Sequence, residues 1–352
     1  MAQVTDLETP AVTVLLDVVE RNIRRVHEHL ARHGIANRPH VKTHKIPALG
    51  RMQMAAGAVG ITCQKLGEVE VFAEAGVADD VLLAFNVIGA AKIERLLAVS
   101  RRLRRLAVVF DNEVVARGLS QAARAAGTEI PFLLECDTGL GRNGVQTPEA
   151  ALELVRTAMR MGGLRFEGLM TFPNQPGTRP FFERALDLFQ RAGIAVPVVS
   201  GGGTPALFSA QSIPQLTEHR AGTYVYNDRM TVAAGAATWD DCAMRVRCTV
   251  VSRPAPDRAV LDAGTKVFTS DLYSVTGYGY LPAYPEAQVV RLSEEHGVVD
   301  LSGCGARPEV GEVVEVVPNH CCVVSNMVDE VYAVRGGTVE TVWPVAARGA
   351  VR

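Results

Sequence analysis

The chain has 352 residues and a net charge of −2; hydrophobic residues make up 48% of it, charged residues 21%, and its mean hydropathy is +0.12. The near balance of charge argues against a nucleic-acid-binding protein, and the composition predicts a large buried core. No apolar run reaches the roughly 18 residues of a membrane span and the N-terminus lacks a signal-peptide pattern, so we expect a cytoplasmic protein without membrane or nucleic-acid partners. The seven irregularly spaced cysteines predict reduced thiols.

The first predicted element is a strand at residues 11–16, outside the main α/β pattern. A helix follows, for which Asp17 offers an N-cap and in which apolar residues recur at helical spacing. This stripe consists of Val19, Ile23, Val26 and Leu30.

Between about residues 36 and 220, strand-like apolar runs alternate with helical patterns such as 65–75 and 147–161. Continuous apolar runs are typical of parallel strands that are buried on both faces. Eight such units predict a (β/α)8 barrel, with a doubly wound parallel sheet as the alternative. The eight runs are 36–42, 58–63, 80–85, 104–110, 130–136, 164–170, 195–200 and 215–219.

After about residue 240 the pattern changes to alternating strands separated by Gly and Pro, without a helical segment. This pattern predicts an all-β domain. We therefore expect a barrel at 17–235 and a β domain formed by 1–16 together with 236–352.

Polar residues follow the predicted barrel strands at the ends where barrel enzymes gather their chemistry. This placement favours an enzyme or a cofactor-binding protein over a bare scaffold. The residues are Lys42 with His44 close behind, Gln64, Arg142, Ser200 and Arg220.

The glycine-rich segment 200–205, SGGGTP, follows a predicted strand and can bring backbone N–H groups close to a phosphate. A flexible turn explains the segment equally well, and a surface position explains Lys42 alone. Together, a lysine at the barrel mouth and a phosphate loop form the arrangement that a Schiff base with pyridoxal phosphate requires.

Six motifs in this chain resemble the D-threonine aldolase and D-serine dehydratase family, fold-type III pyridoxal-phosphate enzymes related to alanine racemase. The resemblance spans nearly the whole chain and implies an alanine-racemase-like barrel with a C-terminal β domain. The motifs are RPHVKTHK (38–45), TGLGRNG (138–144), SGGGTP (200–205), TEHRAGTYVYND (217–228), LDAGTK (261–266) and PNHCC (318–322).

The resemblance implies a role for each matching residue. Lys42 would form the Schiff base, Gln64 would line the cofactor ring, and Arg142 would lie near the phenolic oxygen. Arg220 aligns with the arginine that faces the pyridine nitrogen in alanine racemase, although it could serve the phosphate instead. An ordinary surface ion pair is the alternative for both arginines. The phosphate would be bound by Gly202, Gly203 and Thr204, helped by Gly222 and Thr223.

His320 and Cys322 are two residues apart and would share one face of a strand, so both could reach one metal ion. A buried cysteine beside a hydrogen-bonded histidine is the alternative. The resemblance implies a divalent ion at this position, manganese, magnesium or zinc, and a thiolate ligand favours zinc. Cys321 would point away from the ion as a core residue.

These parts predict a metal-dependent lyase that cleaves a D-threonine-like amino acid to glycine and an aldehyde. A D-serine or D-3-hydroxyaspartate-type dehydratase is the alternative; a racemase and a non-catalytic pyridoxal-phosphate-binding protein are less favoured. Relatives often carry Tyr or His after the sixth strand, whereas residues 172–175 here are Phe-Pro-Asn-Gln. No titratable group lies there, which leaves His44 as the candidate base. The resemblance also implies a homodimer, with the β domain of one subunit near the barrel mouth of the other.

Overall fold

The computed structural model describes residues 2–352, which divide into two compact units. The barrel unit contains Val26–Lys42, Pro47–Gly222 and Ala350–Arg352. The β unit contains the residues up to Arg25, together with Thr43–Ile46 and Thr223–Gly349. The chain therefore passes from one unit to the other within its first barrel loop, between Lys42 and Thr43.

The secondary structure alternates up to residue 220 and is mostly strand thereafter. The strands are β1 (Ala11–Leu15), β2 (Ala36–Asn37), β3 (Ile61–Cys63), β4 (Asp80–Leu83), β5 (Arg105–Phe110), β6 (Ile130–Cys136), β7 (Leu164–Thr171), β8 (Val198–Gly202), β9 (Glu218–Arg220), β10 (Met244–Ala255), β11 (Arg258–Leu261), β12 (Gln288–Leu292), β13 (Gly297–Asp300), β14 (Val313–Val316), β15 (Glu330–Arg335) and β16 (Thr338–Pro344). The α-helices are α1 (Leu16–Arg32), α2 (Pro47–Ala55), α3 (Leu66–Glu74), α4 (Ala90–Ser100), α5 (Glu113–Ala125), α6 (Pro148–Met161), α7 (Thr178–Arg191), α8 (Arg229–Ala233), α9 (Thr265–Phe268) and α10 (Cys321–Met327).

The barrel unit contains eight parallel strands in the order β2-β9-β8-β7-β6-β5-β4-β3. A parallel bridge between His40 and Thr62 links the two ends of this sheet. The predicted (β/α)8 barrel is therefore confirmed, and its strands bury apolar side chains as the continuous apolar runs indicated. One fully buried cluster consists of Leu82, Ala107, Val109, Leu133 and Met170.

The first barrel strand is much shorter than the predicted 36–42, because β2 ends at Asn37. Pro39 has no backbone N–H and cannot donate to a neighbouring strand. The backbone instead donates from His40 to the Ala221 carbonyl, at 2.8 Å. Lys42 then lies in a 3-10 turn, Val41–Thr43, rather than at a strand end.

The predicted helix after residue 16 is present as α1, and its apolar stripe is buried. The prediction that Asp17 is its N-cap is wrong, because β1 runs directly into the helix and Asp17 lies in the first helical turn. There the Asp17 carboxylate pairs with the Arg335 guanidinium.

The β unit contains a sheet ordered β12-β13-β11-β10-β1-β15-β16, with β14 also paired to β10. The strand β1 pairs antiparallel with β10, Val12 facing Val246, and parallel with β15, Thr13 facing Tyr332. The prediction that the N-terminal strand joins the C-terminal sheet is confirmed. No helix within residues 2–352 is both long and apolar enough to cross a membrane.

The predicted C-terminal β domain is confirmed as mostly β, but it also contains two short helices, α9 and α10, that the sequence pattern did not indicate. His320 has an extended backbone and is the N-cap of α10, while Cys321 and Cys322 form its first turn. The strand predicted at His320–Cys322 is therefore a helix start. Its first N–H, from Cys321, is bound by the buried carboxylate of Asp228 at 3.1 Å.

Candidate active site

A cavity opens where several barrel strands end, and four of the polar residues that the sequence singled out line it: Lys42, Gln64, Arg142 and Arg220. Its walls combine one amine, two guanidinium groups and one carboxylate with an aromatic ring. The lining residues are His40, Lys42, Gln64, Ala84, Glu135, Arg142, Met170, Phe172 and Arg220.

The Lys42 amine is held by the amide of Gln64. Lys42 Nζ donates to Gln64 Oε1 at 3.1 Å, and His40 Nε2 lies 3.1 Å from the same oxygen. Gln64 Nε2 donates to the Ala84 carbonyl at 2.7 Å, which fixes which end of the amide faces the amine. The geometry places a polar amine at a defined point in a partly buried cavity.

Phe172 follows β7, at the place where the sequence departs from the pattern of the family that it resembles. Its ring centroid lies 5.4 Å from Lys42 Nζ and 5.2 Å from the Arg142 guanidinium carbon, both within the range of a cation–π contact. This segment therefore supplies an apolar face to the cavity instead of a titratable group.

Arg142 is carried on a loop that is closed around one carboxylate. Asp137 accepts backbone N–H groups from Gly139, Leu140 and Gly141 at 2.9–3.2 Å. These hydrogen bonds lower the pKa of Asp137, and the bond from Gly139 makes the largest contribution. The loop thus has an internal anchor that is present without any ligand.

Arg220 is 3% exposed, and its guanidinium donates to Ser200 Oγ and, at 2.7 Å, to the Thr171 carbonyl. Ser200 Oγ in turn donates to Glu218 Oε1 at 2.7 Å. Burial lowers the pKa of Arg220 to about 10, although the Glu218 and Glu135 carboxylates oppose the change. The side chain is therefore held in one orientation, and its role toward a cofactor ring or phosphate stays a prediction.

The glycine segment has the shape of a cradle, but its backbone donors are partly used. The N–H of Gly202 donates to Asn174 Oδ1 at 3.0 Å, and that of Gly203 donates to the Arg220 carbonyl at 2.9 Å. A Cβ atom at Gly201 would lie 2.5 Å from Asn174 Oδ1, so the close approach depends on glycine.

Two buried polar atoms beside this segment have no hydrogen-bond partner among residues 2–352, the Thr204 hydroxyl and Asn174 Nδ2. Unsatisfied buried polar groups are costly and commonly indicate a missing ligand or water. An amine, two arginines and these two unfilled polar groups fit a phosphate-bearing aldehyde such as pyridoxal phosphate. Asn174 was not found by sequence reasoning, because an amide in a Pro-Asn segment looks like a turn residue.

Gly222 and Thr223 follow β9, and Thr223 begins a 3-10 turn, Thr223–Val225. Thr223 Oγ1 lies 3.9 Å from Cys322 Sγ. Their phosphate-binding role stays a prediction, as do the roles of Gly202 and Gly203.

In the β unit, His320 and Cys322 are brought together at the start of α10, close enough for each side chain to shift the pKa of the other. Cys322 Sγ also lies 3.2 Å from Thr43 Oγ1, and Thr43 is the residue after Lys42 in the chain. Cys321 is fully buried, as predicted. All seven cysteines are free thiols.

His320 is oriented by Asp228, whose Oδ2 lies 2.8 Å from His320 Nδ1. Asp228 is fully buried, and its other oxygen caps α8 by accepting the Thr231 N–H at 2.9 Å. A carboxylate at Nδ1 fixes the ring orientation and the proton there, as in carboxylate–histidine–metal sites, so that Nε2 is the nitrogen that could bind an ion on losing its proton. The sequence contains Asp228 within TEHRAGTYVYND, but nothing in its spacing indicated this partner.

The pKa values of His320 and Cys322 both depart strongly from their ordinary values. Burial disfavours a charged His320, but the Cys322 thiolate and the Asp228 carboxylate outweigh it and raise the pKa of His320 to about 10. A hydrogen bond from the Cys321 thiol, together with His320, lowers the pKa of Cys322 well below its ordinary value. A thiolate is the form that binds divalent ions.

An aromatic ring also lies beside His320. Tyr273 packs edge-on against His320 with ring centroids 5.1 Å apart. Within residues 2–352, no group of three His, Cys, Asp or Glu side chains is arranged to hold a metal ion. His44 is fully buried and its Nδ1 accepts the Ile46 N–H at 3.0 Å; its role as a proton acceptor stays a prediction.

Two family models match the chain in succession. The model for the N-terminal domain of alanine racemase matches residues 14–230, and the serine dehydratase domain model matches residues 243–334.

Curated relatives match over nearly the full length. The chain is 35% identical to a D-threonine aldolase of an Arthrobacter species, over 97% of this chain and 93% of that protein. It is 33% identical to a 3-hydroxy-D-aspartate aldolase of Paracoccus denitrificans, over 98% and 93% respectively.

Solved structures agree with this similarity. A D-threonine aldolase from Filomicrobium marinum superposes with a TM-score of 0.88 at 33% identity, covering 99% of this chain and 97% of that one. A D-threo-3-hydroxyaspartate dehydratase from Delftia gives 0.87 at 28%, covering 98% and 99%. For that dehydratase, a histidine-to-alanine variant and a metal-free cysteine-to-alanine variant are also solved, with the two changed positions two residues apart.

Proposed function

Because the chain belongs to the D-threonine aldolase and D-serine dehydratase-like family, and is a pyridoxal-phosphate-dependent lyase acting on D-amino acids, we propose that it cleaves a D-threonine-like β-hydroxy amino acid. The products would be glycine and an aldehyde. Two aldolases at 33–35% identity support this reaction over the dehydration that the 29% identical Delftia enzyme is named for.

The barrel cavity supplies the cofactor side of the proposed reaction. The Lys42 amine would hold the cofactor's aldehyde carbon and give up its place to the amino group of the substrate. Thr204 Oγ1 and Asn174 Nδ2 would donate to the phosphate, and Phe172 would cover the ring with an apolar surface. Bound pyridoxal phosphate supplies an electron-withdrawing ring that accepts the electron pair of the broken Cα–Cβ bond.

The observation that carries the aldolase proposal is the hydrogen bond between Asp228 and His320. It holds the His320 ring by Nδ1, so that Nε2, on giving up its proton to solvent, and the Cys322 thiolate would together hold a divalent ion. The ion supplies positive charge that lowers the pKa of a bound hydroxyl, the group that must lose a proton in a retro-aldol cleavage. A thiolate ligand favours zinc, with manganese and magnesium as the other candidates.

Dehydration is the second candidate, and one observation favours it. The spacing of His320 and Cys322 equals that of the histidine and cysteine changed in the Delftia dehydratase variants. In this reaction Lys42 would remove the α-proton, and His320 and Cys322 would hold an ion that would supply positive charge beside the departing hydroxyl group. The products would be an oxoacid and ammonia.

Product analysis with the purified holoenzyme separates the two reactions. D-threonine, D-serine and D-threo-3-hydroxyaspartate are each incubated with the protein, with and without a chelator, and the products are identified by mass. We expect glycine with an aldehyde, and a loss of rate on chelation that added divalent ion restores. Oxoacid and ammonia without glycine would refute the aldolase.

Two matched variants test the parts separately. After borohydride reduction, the wild-type protein should carry the mass of the cofactor on Lys42, and Lys42→Ala should not. Cys322→Ala should lose the metal-dependent rate but keep the reducible cofactor. A wild-type protein that gains no cofactor mass would refute the proposed pyridoxal-phosphate site. Unchanged metal dependence in Cys322→Ala would refute Cys322 as a ligand of the metal ion.

A further inference from the structure

Glu135 is a buried carboxylate that the proposed reaction does not use. It lies near the end of β6 and lines the same cavity as Lys42. Its side chain is only 4% exposed, and its ion pair with Arg142 Nη2 is long, at 3.9 Å. A carboxylate buried in this way without a close ion pair is costly, and such groups concentrate at functional sites.

The carboxylate is tied to Arg142 through a second residue. Asn143 Nδ2 donates to Glu135 Oε2 at 2.6 Å, and Arg142 Nε donates to Asn143 Oδ1 at 2.7 Å. The two bonds fix the orientation of the Asn143 amide. Although the Arg142 side chain is 51% exposed, its guanidinium is therefore held from inside the cavity.

Charges of both signs surround Glu135. Burial raises the pKa of Glu135 to about 7; Arg142 and Arg220 oppose the rise, and Asp111 and Asp137 add to it. Asp111 and Asp137 are both engaged by backbone N–H groups, from Gly144 at 2.8 Å in the first case.

Two further titratable side chains, Lys42 and His40, line the cavity that Glu135 faces. Both contact the Gln64 amide oxygen, each at 3.1 Å. An anionic ligand entering this cavity would meet a second negative charge whenever Glu135 is ionised.

We propose that Glu135 is a positioning residue for Arg142 and takes up one proton from solvent when the anionic cofactor binds. The neutral acid keeps an oxygen that accepts from Asn143, so Arg142 stays in place while its charge is released to the cofactor's phenolic oxygen. This inference rests on the pyridoxal-phosphate site of the proposed function.

The coupling between proton uptake and cofactor binding determines how the affinity changes with pH. A ligand that binds with uptake of one proton loses affinity by up to about tenfold per pH unit once Glu135 is ionised in the apoprotein. Glu135→Gln keeps an oxygen for Asn143 but has no proton to gain. Because free pyridoxal phosphate titrates identically in both experiments, the ratio of the two affinities removes its own contribution to the pH dependence.

The experiment titrates apoprotein with pyridoxal phosphate between about pH 6 and about pH 8.5, measuring Kd from absorbance and proton uptake by calorimetry in buffers of different ionisation enthalpy. We expect wild-type protein to lose affinity relative to Glu135→Gln as pH rises, and to take up as much as one more proton. Glu167→Gln, a partly buried carboxylate outside the cavity, should behave as wild type.

The conservative variant Glu135→Asp separates titration from structure. It keeps an ionisable group and should retain proton uptake, even if the shorter side chain lowers the affinity at every pH. Equal proton uptake in wild type and Glu135→Gln, with a constant affinity ratio, would overturn this inference alone. A wild-type protein that does not bind pyridoxal phosphate would overturn the cofactor assignment as well.

Discussion

The carboxylate of Asp228 lies 2.8 Å from His320 Nδ1 and also receives the backbone N–H of Cys321, at 3.1 Å. One buried oxygen thus sets both the ring orientation of His320 and the start of the helix that carries Cys322. The proposed metal site therefore depends on a residue 92 positions earlier in the chain.

Removing this charge should weaken metal binding. We expect Asp228→Asn to lower zinc affinity by about 10–100-fold, because the amide no longer fixes the Nδ1 proton or raises the basicity of Nε2. Competition with a fluorescent chelator measures this affinity. Asp262→Asn, a change in a carboxylate that binds Thr9 and Thr249, serves as the control and should bind zinc normally. Equal affinities in the two variants would contradict the role given to Asp228.

The thiolate of Cys322 should contribute more to zinc affinity than the carboxylate of Asp228 does. Cys322→Ala should reduce zinc affinity by at least about 100-fold, beyond the range typical of residues that only support a ligand. Cys248→Ala, which removes a fully buried thiol from β10, should leave zinc binding unchanged while lowering stability. Zinc that binds as tightly to Cys322→Ala as to wild type would exclude Cys322 as a ligand.

Asn174 should contribute to cofactor binding through its unfilled amide nitrogen. We expect Asn174→Ala to weaken pyridoxal-phosphate binding by about 5–10-fold, the effect of losing roughly one hydrogen bond. Gln175→Ala changes the neighbouring residue, whose backbone N–H donates to Thr178 Oγ1 at 2.8 Å, and should bind pyridoxal phosphate normally. Dissociation constants are measured by absorbance titration. Equal values for the two variants would show that Asn174 does not contribute to cofactor binding.

His219 predicts a pH dependence of folding. Burial lowers the pKa of His219 to about 4, only partly offset by its hydrogen bond to the Gly203 carbonyl. Between its ordinary value of 6.5 and about 4, the unfolded chain binds a proton that the folded chain does not, so stability falls as pH falls. The slope from this group approaches about 1.4 kcal/mol per pH unit.

Urea unfolding at several pH values within that window checks the effect. His219→Gln, which can still donate to the Gly203 carbonyl, should show a shallower loss of stability on acidification than wild type. His296→Gln alters an exposed histidine and should follow the wild-type slope. A slope unchanged by His219→Gln would show that other groups control this range.

The barrel could be predicted because its strands are buried on both faces and therefore appear as continuous apolar runs. The helix α10 could not, since Cys-Cys-Val-Val is a short apolar run that suits strand and helix alike. Its conformation depends on Asp228, a tertiary contact 93 residues away. Sequence patterns located Lys42, Arg142 and His320, because their side chains are of the kinds that bind cofactors and metal ions. They missed Glu135 and Asn174, because the burial of a polar group is a property of the folded chain.

The carboxylate of Asp137 gathers three backbone N–H groups and closes the loop that carries Arg142. The conformational entropy of that loop is therefore lost during folding rather than at the moment a ligand arrives. Cofactor binding should then proceed as entry into a ready site, with an association rate governed by diffusion and charge instead of by loop closure.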